Sequence, residues 1–293
     1  MAHIAFIGLG KMGRPMATTL VRAGYGVRGF DLLPILCDEA AKDGVSIANS
    51  AKEALEGANV VITVLPGGQH VLSVWVDLLP HAGKGTLFID SSTIDVDSAR
   101  RIHELAAKAG MLSVDAPVSG GTAGAKAGTL TFICGAAEAA FVAAKPILEK
   151  MGRKIILCGG AGAGQAAKIC NNLILGATMI ATAEAFVLAE KLGLSHQALF
   201  DVVSTSSGQS WSLTNYCPVP GLVPGSPANN GYKPGFAAAL MLKDLKLAQE
   251  AAANTGAATA LGAVAAQLYT LYNAWGEGSA DFSGIINMIR GKT

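Results

Sequence analysis

Two hydrophobic periods alternate along the first half of the chain. Short apolar runs at His3–Ile7, Val27–Phe30, Val60–Leu65, Thr86–Ile89, Leu112–Val114, Leu130–Cys134 and Lys154–Leu157 read as strands. Between them, Met12–Ala23, Ser50–Leu55, Val96–Ala109 and Ala136–Lys150 carry helical spacing, and Ser50 with Glu53 has the spacing of a capping box. Nearly continuous apolar strands separated by helices predict a mostly parallel sheet covered on both faces, a doubly wound α/β domain.

The pattern changes at Gly159–Gly164 (GGAGAG), beyond which strand signals stop. Gln165–Lys191 reads as one helix about 40 Å long, at 1.5 Å per residue. Such a helix is a spine for other helices or an interface between copies. Ser204–Gly235 is rich in Pro, Gly, Ser and Asn and reads as a long loop, either functional or disordered. Helices are expected again over Phe236–Asn254 and Thr259–Trp275, with a short one near Phe282–Arg290.

A length of 293 residues favours two domains, and 51% hydrophobic against 15% charged residues excludes a disordered chain. Lys and Arg total 22 and Asp and Glu 21, a net charge of +1, which gives no footprint for nucleic acid or an anionic membrane. The expected partners are a small molecule and another copy of the same chain. Cys37, Cys134, Cys158, Cys170 and Cys217 are scattered without a CxxC pair and read as reduced thiols. The five histidines are equally dispersed, and no metal site is expected. Mean hydropathy is positive, at +0.42. The uncharged stretch Ala251–Gly276 consists mostly of small residues, with Asn254, Gln267 and Asn273 inside it, and Leu173–Ala183 is short, so both read as buried helices. The opening residues lack a basic segment followed by an apolar one, and a cytoplasmic location is the expectation.

The first candidate chemistry is Gly8-x-Gly10-x-x-Gly13, directly after a strand and directly before a helix. Gly8 permits the tight turn, Gly10 lets the backbone approach a pyrophosphate, and Gly13 lets helix and strand pack closely. The helix N-terminus presents N–H groups and partial positive charge to the phosphates. Asp31 follows the second strand, 18 residues after Gly13, where a carboxylate accepts hydrogen bonds from the adenosine ribose and repels a 2′-phosphate. Leu32 and Leu33 supply no cation for such a phosphate, and Arg28 sits too early on the strand. The expected cofactor is NAD rather than NADP.

Three further segments matter as a group, although each alone reads as a tight connection, a solvated lysine or a surface pair. They are Asp115–Leu130 (DAPVSGGTAGAKAGTL), Gly162–Asn172 (GAGQAAKICNN) and Lys243–Ala248 (KDLKLA). Ser119, Gly120 and Gly121 form a stretch whose N–H groups can wrap a carboxylate. Lys168 and Asn172 are four apart and share one helix face at the head of an apolar run. A lysine half buried beside a positively charged nicotinamide is pushed toward its neutral form and can exchange a proton with a hydroxyl. An amide at Asn172 can orient the same oxygen.

With these four motifs in order along the whole chain, the sequence resembles the β-hydroxyacid dehydrogenases and, within them, the 3-hydroxyisobutyrate dehydrogenases. GLGKMGRPMA (Gly8–Ala17) matches the family's cofactor motif, covering Gly8, Leu9, Gly10, Lys11, Met12 and Gly13. The resemblance implies an NAD-binding Rossmann domain over residues 1–162. It also implies an all-helical substrate and oligomerisation domain over 163–293, the two joined by the long helix. It assigns Lys168 as the catalytic lysine and Asn172 as the amide that helps hold substrate. Ser119, Gly120 and Gly121 become the carboxylate-binding segment. Leu65, Pro66 and Thr93 become nicotinamide-side contacts, Lys243 the lysine closing over the cofactor, and Trp211 and Phe236 pocket walls. The implied reaction is NAD-dependent oxidation of 3-hydroxyisobutyrate to methylmalonate semialdehyde, in valine degradation, by a dimer or tetramer. The proline-rich segment Tyr216–Phe236 favours this branch, as an ordered lid or a subunit contact. Tartronate semialdehyde and glyoxylate/succinic semialdehyde reductases remain alternatives, and an inactive scaffold is a further one.

Overall fold

The computed structural model describes residues 2–291 and divides into two compact units, Met1–Lys168 and Ile169–Thr293. The first holds nine strands: β1 (His3–Ile7), β2 (Gly26–Phe30), β3 (Ser46–Ile47), β4 (Val60–Thr63), β5 (Leu87–Asp90), β6 (Leu112–Asp115), β7 (Val118–Ser119), β8 (Leu130–Ala136) and β9 (Gly152–Gly159). Its helices are α1 (Gly13–Arg22), α2 (Pro34–Lys42), α3 (Ala51–Leu55), α4 (Gly68–Leu78), α5 (Val96–Lys108), α6 (Gly121–Ala127) and α7 (Glu138–Met151).

The strands order as β3-β2-β1-β4-β5-β6-β8-β7, with β9 also on β8. The six from β3 to β6 are all parallel, in the order of a dinucleotide-binding sheet. Beyond them β8 runs antiparallel to β6 and β7, while β9 is parallel to β8. The period of two along each strand divides the core. Ile4, Phe6, Val60, Ile62, Leu87 and Ile89 pack on one face. Ala5, Ile7, Val61 and Phe88 pack on the other, with Trp75 and Ile102. At α3 the Ser50 hydroxyl accepts from Glu53 N (3.1 Å), but the Glu53 carboxylate binds the backbone and side-chain amides of Asn49 instead of closing the reciprocal half of the box.

One helix, α8 (Ala163–Lys191), begins in the first unit and continues into the second. By length and composition alone it could cross a membrane. Within the second unit it behaves as a core helix: a side chain at Gly176 would press on Met241 and Leu245, and Leu173 approaches Gly262 closely. The remaining helices are α9 (His196–Val203), α10 (Trp211–Thr214), α11 (Ala238–Thr255), α12 (Ala260–Ala274) and α13 (Ile285–Ile289). The expected loop over 204–235 is ordered, and it contains α10 and a 3-10 turn at Pro227–Asn230. Ser226 fixes that turn by donating to the Cys217 carbonyl (2.6 Å), and Asn229 accepts from Gly221 N (2.7 Å).

Candidate functional site

The turn after β1 is shaped by its glycines. Gly8 has φ +99°, and a Cβ there would overlap the Val64 carbonyl, while a Cβ on Gly13 would overlap the Gly8 carbonyl. Only glycine satisfies both approaches. A Cβ on Gly10 would meet nothing within 4 Å, so the backbone there borders open space. No side chain caps α1; Arg14 N donates back to the Gly10 carbonyl (3.0 Å) and Pro15 carries no N–H, so the helix start is without a side-chain acceptor. Leu9 is buried beneath the turn, and Lys11 is exposed at its tip beside half-buried Met12.

Asp31 closes this turn from β2. Its Oδ2 accepts from Leu9 N (2.8 Å) and its Oδ1 from Leu33 N (2.9 Å), which fixes the carboxylate beside the glycines and leaves lone pairs on each oxygen. Arg28 is turned away, donating to the Glu53 carbonyl (2.7 Å), and Leu32 is 84% exposed. An open approach at Gly10, an uncapped helix start and a fixed acceptor fit a nicotinamide dinucleotide with an unphosphorylated ribose.

At the ends of β4 and β5, Leu65 N donates to Ser92 Oγ (2.8 Å), which holds the Leu65–Pro66 corner beside the segment carrying Thr93. Behind it lies fully buried Asp90. Its Oδ1 accepts from Ser92 Oγ (2.6 Å) and Thr63 Oγ1 (2.7 Å), and Trp75 Nε1 donates to Thr63 Oγ1 (3.2 Å). Burial outweighs these bonds and pushes the Asp90 carboxyl up to about 6. Across the sheet, Ser119 ends β7. Gly120 (φ +130°) and Gly121 (φ +60°) then reverse the chain into α6, which also starts without a side-chain cap. This segment stands five positions from β1 in the strand order, so the secondary structure alone does not join it to the Gly8–Gly13 turn.

Lys168 lies on the second turn of α8 and is 7% exposed. Asp115, at the end of β6, accepts from Gly162 N and Gln165 N (both 2.9 Å) and fastens the helix start to the sheet. Among the described residues no cluster of His, Cys, Asp and Glu is placed to hold a metal.

In the second unit, Asn172 is buried and donates from Nδ2 to buried Asp244 (2.5 Å) on α11, next to Lys243. Trp211 stacks on Tyr216 and Tyr216 on Phe282, with centroids 5.1 and 5.2 Å apart. Phe236 meets Phe282 edge to face at 5.7 Å. The expected wall residues thus belong to one aromatic group, pinned where Asp281 accepts from Tyr216 OH (2.8 Å) and from the backbone of Gly235 and Phe236. Burial, with Asp281 alongside, raises the Tyr216 phenol far above its ordinary value. Asp115, Gln165 and Asp244 all lie inside the motifs quoted from the sequence, yet only long-range pairing reveals what they hold.

Residues 3–160 match the family profile for the NAD-binding domain of 6-phosphogluconate dehydrogenase. Residues 162–289 match the profile for the NAD-binding of NADP-dependent 3-hydroxyisobutyrate dehydrogenase. The chain is 54% identical over 292 residues to a probable 3-hydroxyisobutyrate dehydrogenase of Mycobacterium tuberculosis, covering 100% of this chain and 99% of that one. It belongs to the β-hydroxyacid dehydrogenase family. A NAD-dependent L-serine dehydrogenase of Pseudomonas aeruginosa is 48% identical over 286 residues, 97% of this chain and 96% of that one. A solved structure of the Mycobacterium tuberculosis 3-hydroxyisobutyrate dehydrogenase with L-serine has a TM-score of 0.96 at 54% identity and covers 99% of each chain. As a member of this family the chain is an NAD-dependent oxidoreductase.

Proposed function

We propose that the enzyme oxidises the primary alcohol of 3-hydroxyisobutyrate to methylmalonate semialdehyde, a step of valine degradation, with NAD⁺ preferred over NADP⁺. The observation that carries this reading is Lys168, a buried amine one helical turn from Asn172, in a chain whose phosphate turn fits the dinucleotide. In this reading residues 1–162 are the cofactor domain and residues 163–293 the substrate domain.

Gly8, Leu9, Gly10, Lys11, Met12 and Gly13 cradle the pyrophosphate. Asp31 accepts from the ribose, and Leu65, Pro66, Thr93 and Lys243 contact the nicotinamide side. Ser119, Gly120 and Gly121 hold the substrate carboxylate, and Trp211 and Phe236 wall the small acid. Neutral Lys168 takes the hydroxyl proton while Asn172 orients the hydroxyl oxygen. A bound nicotinamide would supply the hydride acceptor for the carbinol carbon, and with the proton passing to Lys168 this would account for the aldehyde, NADH and proton formed from alcohol and NAD⁺. Holding the reacting groups in one geometry supplies much of the acceleration.

Self-association through the helical unit belongs to the same proposal. Exposed Ile174, Leu188, Leu261, Val264 and Leu271 support it. The enzyme is expected to act in the cytoplasm.

A second reading, oxidation of L-serine, is favoured by the name of the Pseudomonas aeruginosa relative and the ligand of the solved structure. L-Serine is also a β-hydroxyacid and carries an ammonium where 3-hydroxyisobutyrate carries a methyl group. NADH absorbance with 3-hydroxyisobutyrate, L-serine, D-glycerate and 4-hydroxybutyrate, each with NAD⁺ and NADP⁺, separates the readings. The proposal expects the highest kcat/KM for 3-hydroxyisobutyrate with NAD⁺. A higher value for any other acid would replace the substrate assignment.

A further inference from the structure

Gln165 is fully buried and makes three bonds that no substrate or cofactor contact explains. Its side-chain Nε2 donates to the Ser92 carbonyl (2.8 Å), its Oε1 accepts from Ile94 N (3.1 Å), and its own N–H donates to Asp115 Oδ2 (2.9 Å). One amide thus grips both sides of Thr93, and the same residue lies one turn before Lys168 on α8. Asp115 completes the fastening: its Oδ1 accepts from Gly162 N, and His103 Nε2 lies 2.8 Å from that oxygen. Ser113 Oγ in turn lies 2.7 Å from His103 Nδ1, so the carboxylate is held from behind. Gly164 is required because a Cβ there would overlap the Ile133 carbonyl.

We propose that Gln165 is a positioning residue that sets the distance and angle between the Lys168 amine and the Thr93 loop, and so aligns proton removal with hydride departure. This rests on the reading of Lys168 as the base. The argument is mechanical. An amide bonded on both faces of a three-residue loop transmits the loop's position to the helix without slack, because each bond tolerates only a few tenths of an ångström. A misplacement of about 1 Å in a reacting pair costs about 10²-fold in rate. Burial of the amide also means that neither bond can be replaced by bulk water. A structural buttress would affect how much enzyme is folded, whereas an alignment device affects the chemical step of the molecules that are folded.

The test is Gln165→Glu and Gln165→Met in the full-length enzyme. The Glu variant keeps the size and the acceptor for Ile94 N but places an oxygen against the Ser92 carbonyl. The Met variant removes both bonds. Expected are a fall in kcat of about 10²-fold, with KM and the NAD⁺ dissociation constant within about threefold of wild type. With substrate deuterated at the carbinol carbon, the isotope effect on kcat should rise as hydride transfer becomes limiting. If the Met variant does not fold, the Glu variant decides alone. A loss of rate that only tracks the loss of folded protein, with an unchanged isotope effect, overturns the proposal. Lys168→Ala is assayed beside them. Turnover retained there refutes the base itself, whereas a dead Lys168→Ala with a wild-type kcat in Gln165→Glu refutes only the clamp.

Discussion

Asp31 offers the sharpest test of cofactor choice, because its environment separates structural from recognition effects. Each of its oxygens already accepts one backbone N–H, from Leu9 and Leu33. Replacing it with Ser keeps one acceptor for the turn and removes the charge. A hydrogen bond from the ribose to a carboxylate contributes about 1.5–3 kcal/mol, so NAD⁺ should lose about 10- to 150-fold in kcat/KM. For NADP⁺ the sign reverses. A carboxylate about 4 Å from a phosphate charge costs about 4 kcal/mol at an effective dielectric of about 20, and screening in salt reduces this. Removing it should return about 10²- to 10³-fold to NADP⁺. The ratio of the two specificity constants therefore moves by about 10³-fold or more in Asp31→Ser. Leu32→Arg is the companion, since Leu32 follows Asp31 directly and is 84% exposed. It should improve NADP⁺ use while leaving the NAD⁺ constants and thermal stability near wild type. The assay is initial-rate NAD(P)H absorbance with both dinucleotides, alongside a thermal melt. An unchanged ratio in Asp31→Ser, with the enzyme still folded, would refute the assignment of Asp31 to the ribose.

Three other outcomes follow from the geometry. Gly13→Ala drives a methyl group into the Gly8 carbonyl, so NAD⁺ affinity measured by fluorescence titration should fall more than about tenfold, with about 1–3 kcal/mol lost in urea unfolding. For Asp90, the folded carboxyl titrates at about 6 against 3.8 for the ordinary group, so the folded state holds the extra proton between these values. Its contribution is fully present below pH 4 and lost as pH rises through about 6. The stability of Asp90→Asn relative to wild type should therefore improve by about 2 kcal/mol between pH 4 and 7 in denaturant titrations. Glu190 behaves oppositely: the Arg290 guanidinium, bonded at 2.5–3.2 Å, lowers its carboxyl, with His196 adding to it. That stability is present above the ordinary carboxylate range and lost as pH falls through the lowered value. Partial exposure limits the cost of Glu190→Gln at pH 7 to about 1 kcal/mol by thermal melt.

The sheet was legible because Val, Ile and Phe alternate between its two faces with little interruption, as in His3–Ile7 and Val60–Thr63. The strands with no sequence signal, β3 and β7, have two residues each, too few for any period to register. Helix α4 was hidden by Val71, Val74 and Val76, which favour strands. It forms because Val71, Trp75 and Leu78 fall on one face and are buried there. Helix α2 carries only Ala40 in the core, so no apolar stripe marks it. Among candidate site residues, the glycines and Asp31 are placed by local pattern because a turn and its neighbouring strand define them. Asp115, Gln165 and Asp244 could not, since their partners lie about 50 to 73 residues away and no local spacing encodes such a pair.

The Lys168→Ala enzyme tests the central claim most directly, through two quantities measured on one preparation. Turnover of 3-hydroxyisobutyrate should drop about 10²- to 10⁴-fold, the range supplied by a positioned general base, while the NAD⁺ dissociation constant stays within about twofold. Added primary alkylamines should restore part of the rate in proportion to their free-base concentration. Turnover close to wild type, with NAD⁺ still bound, would contradict the account.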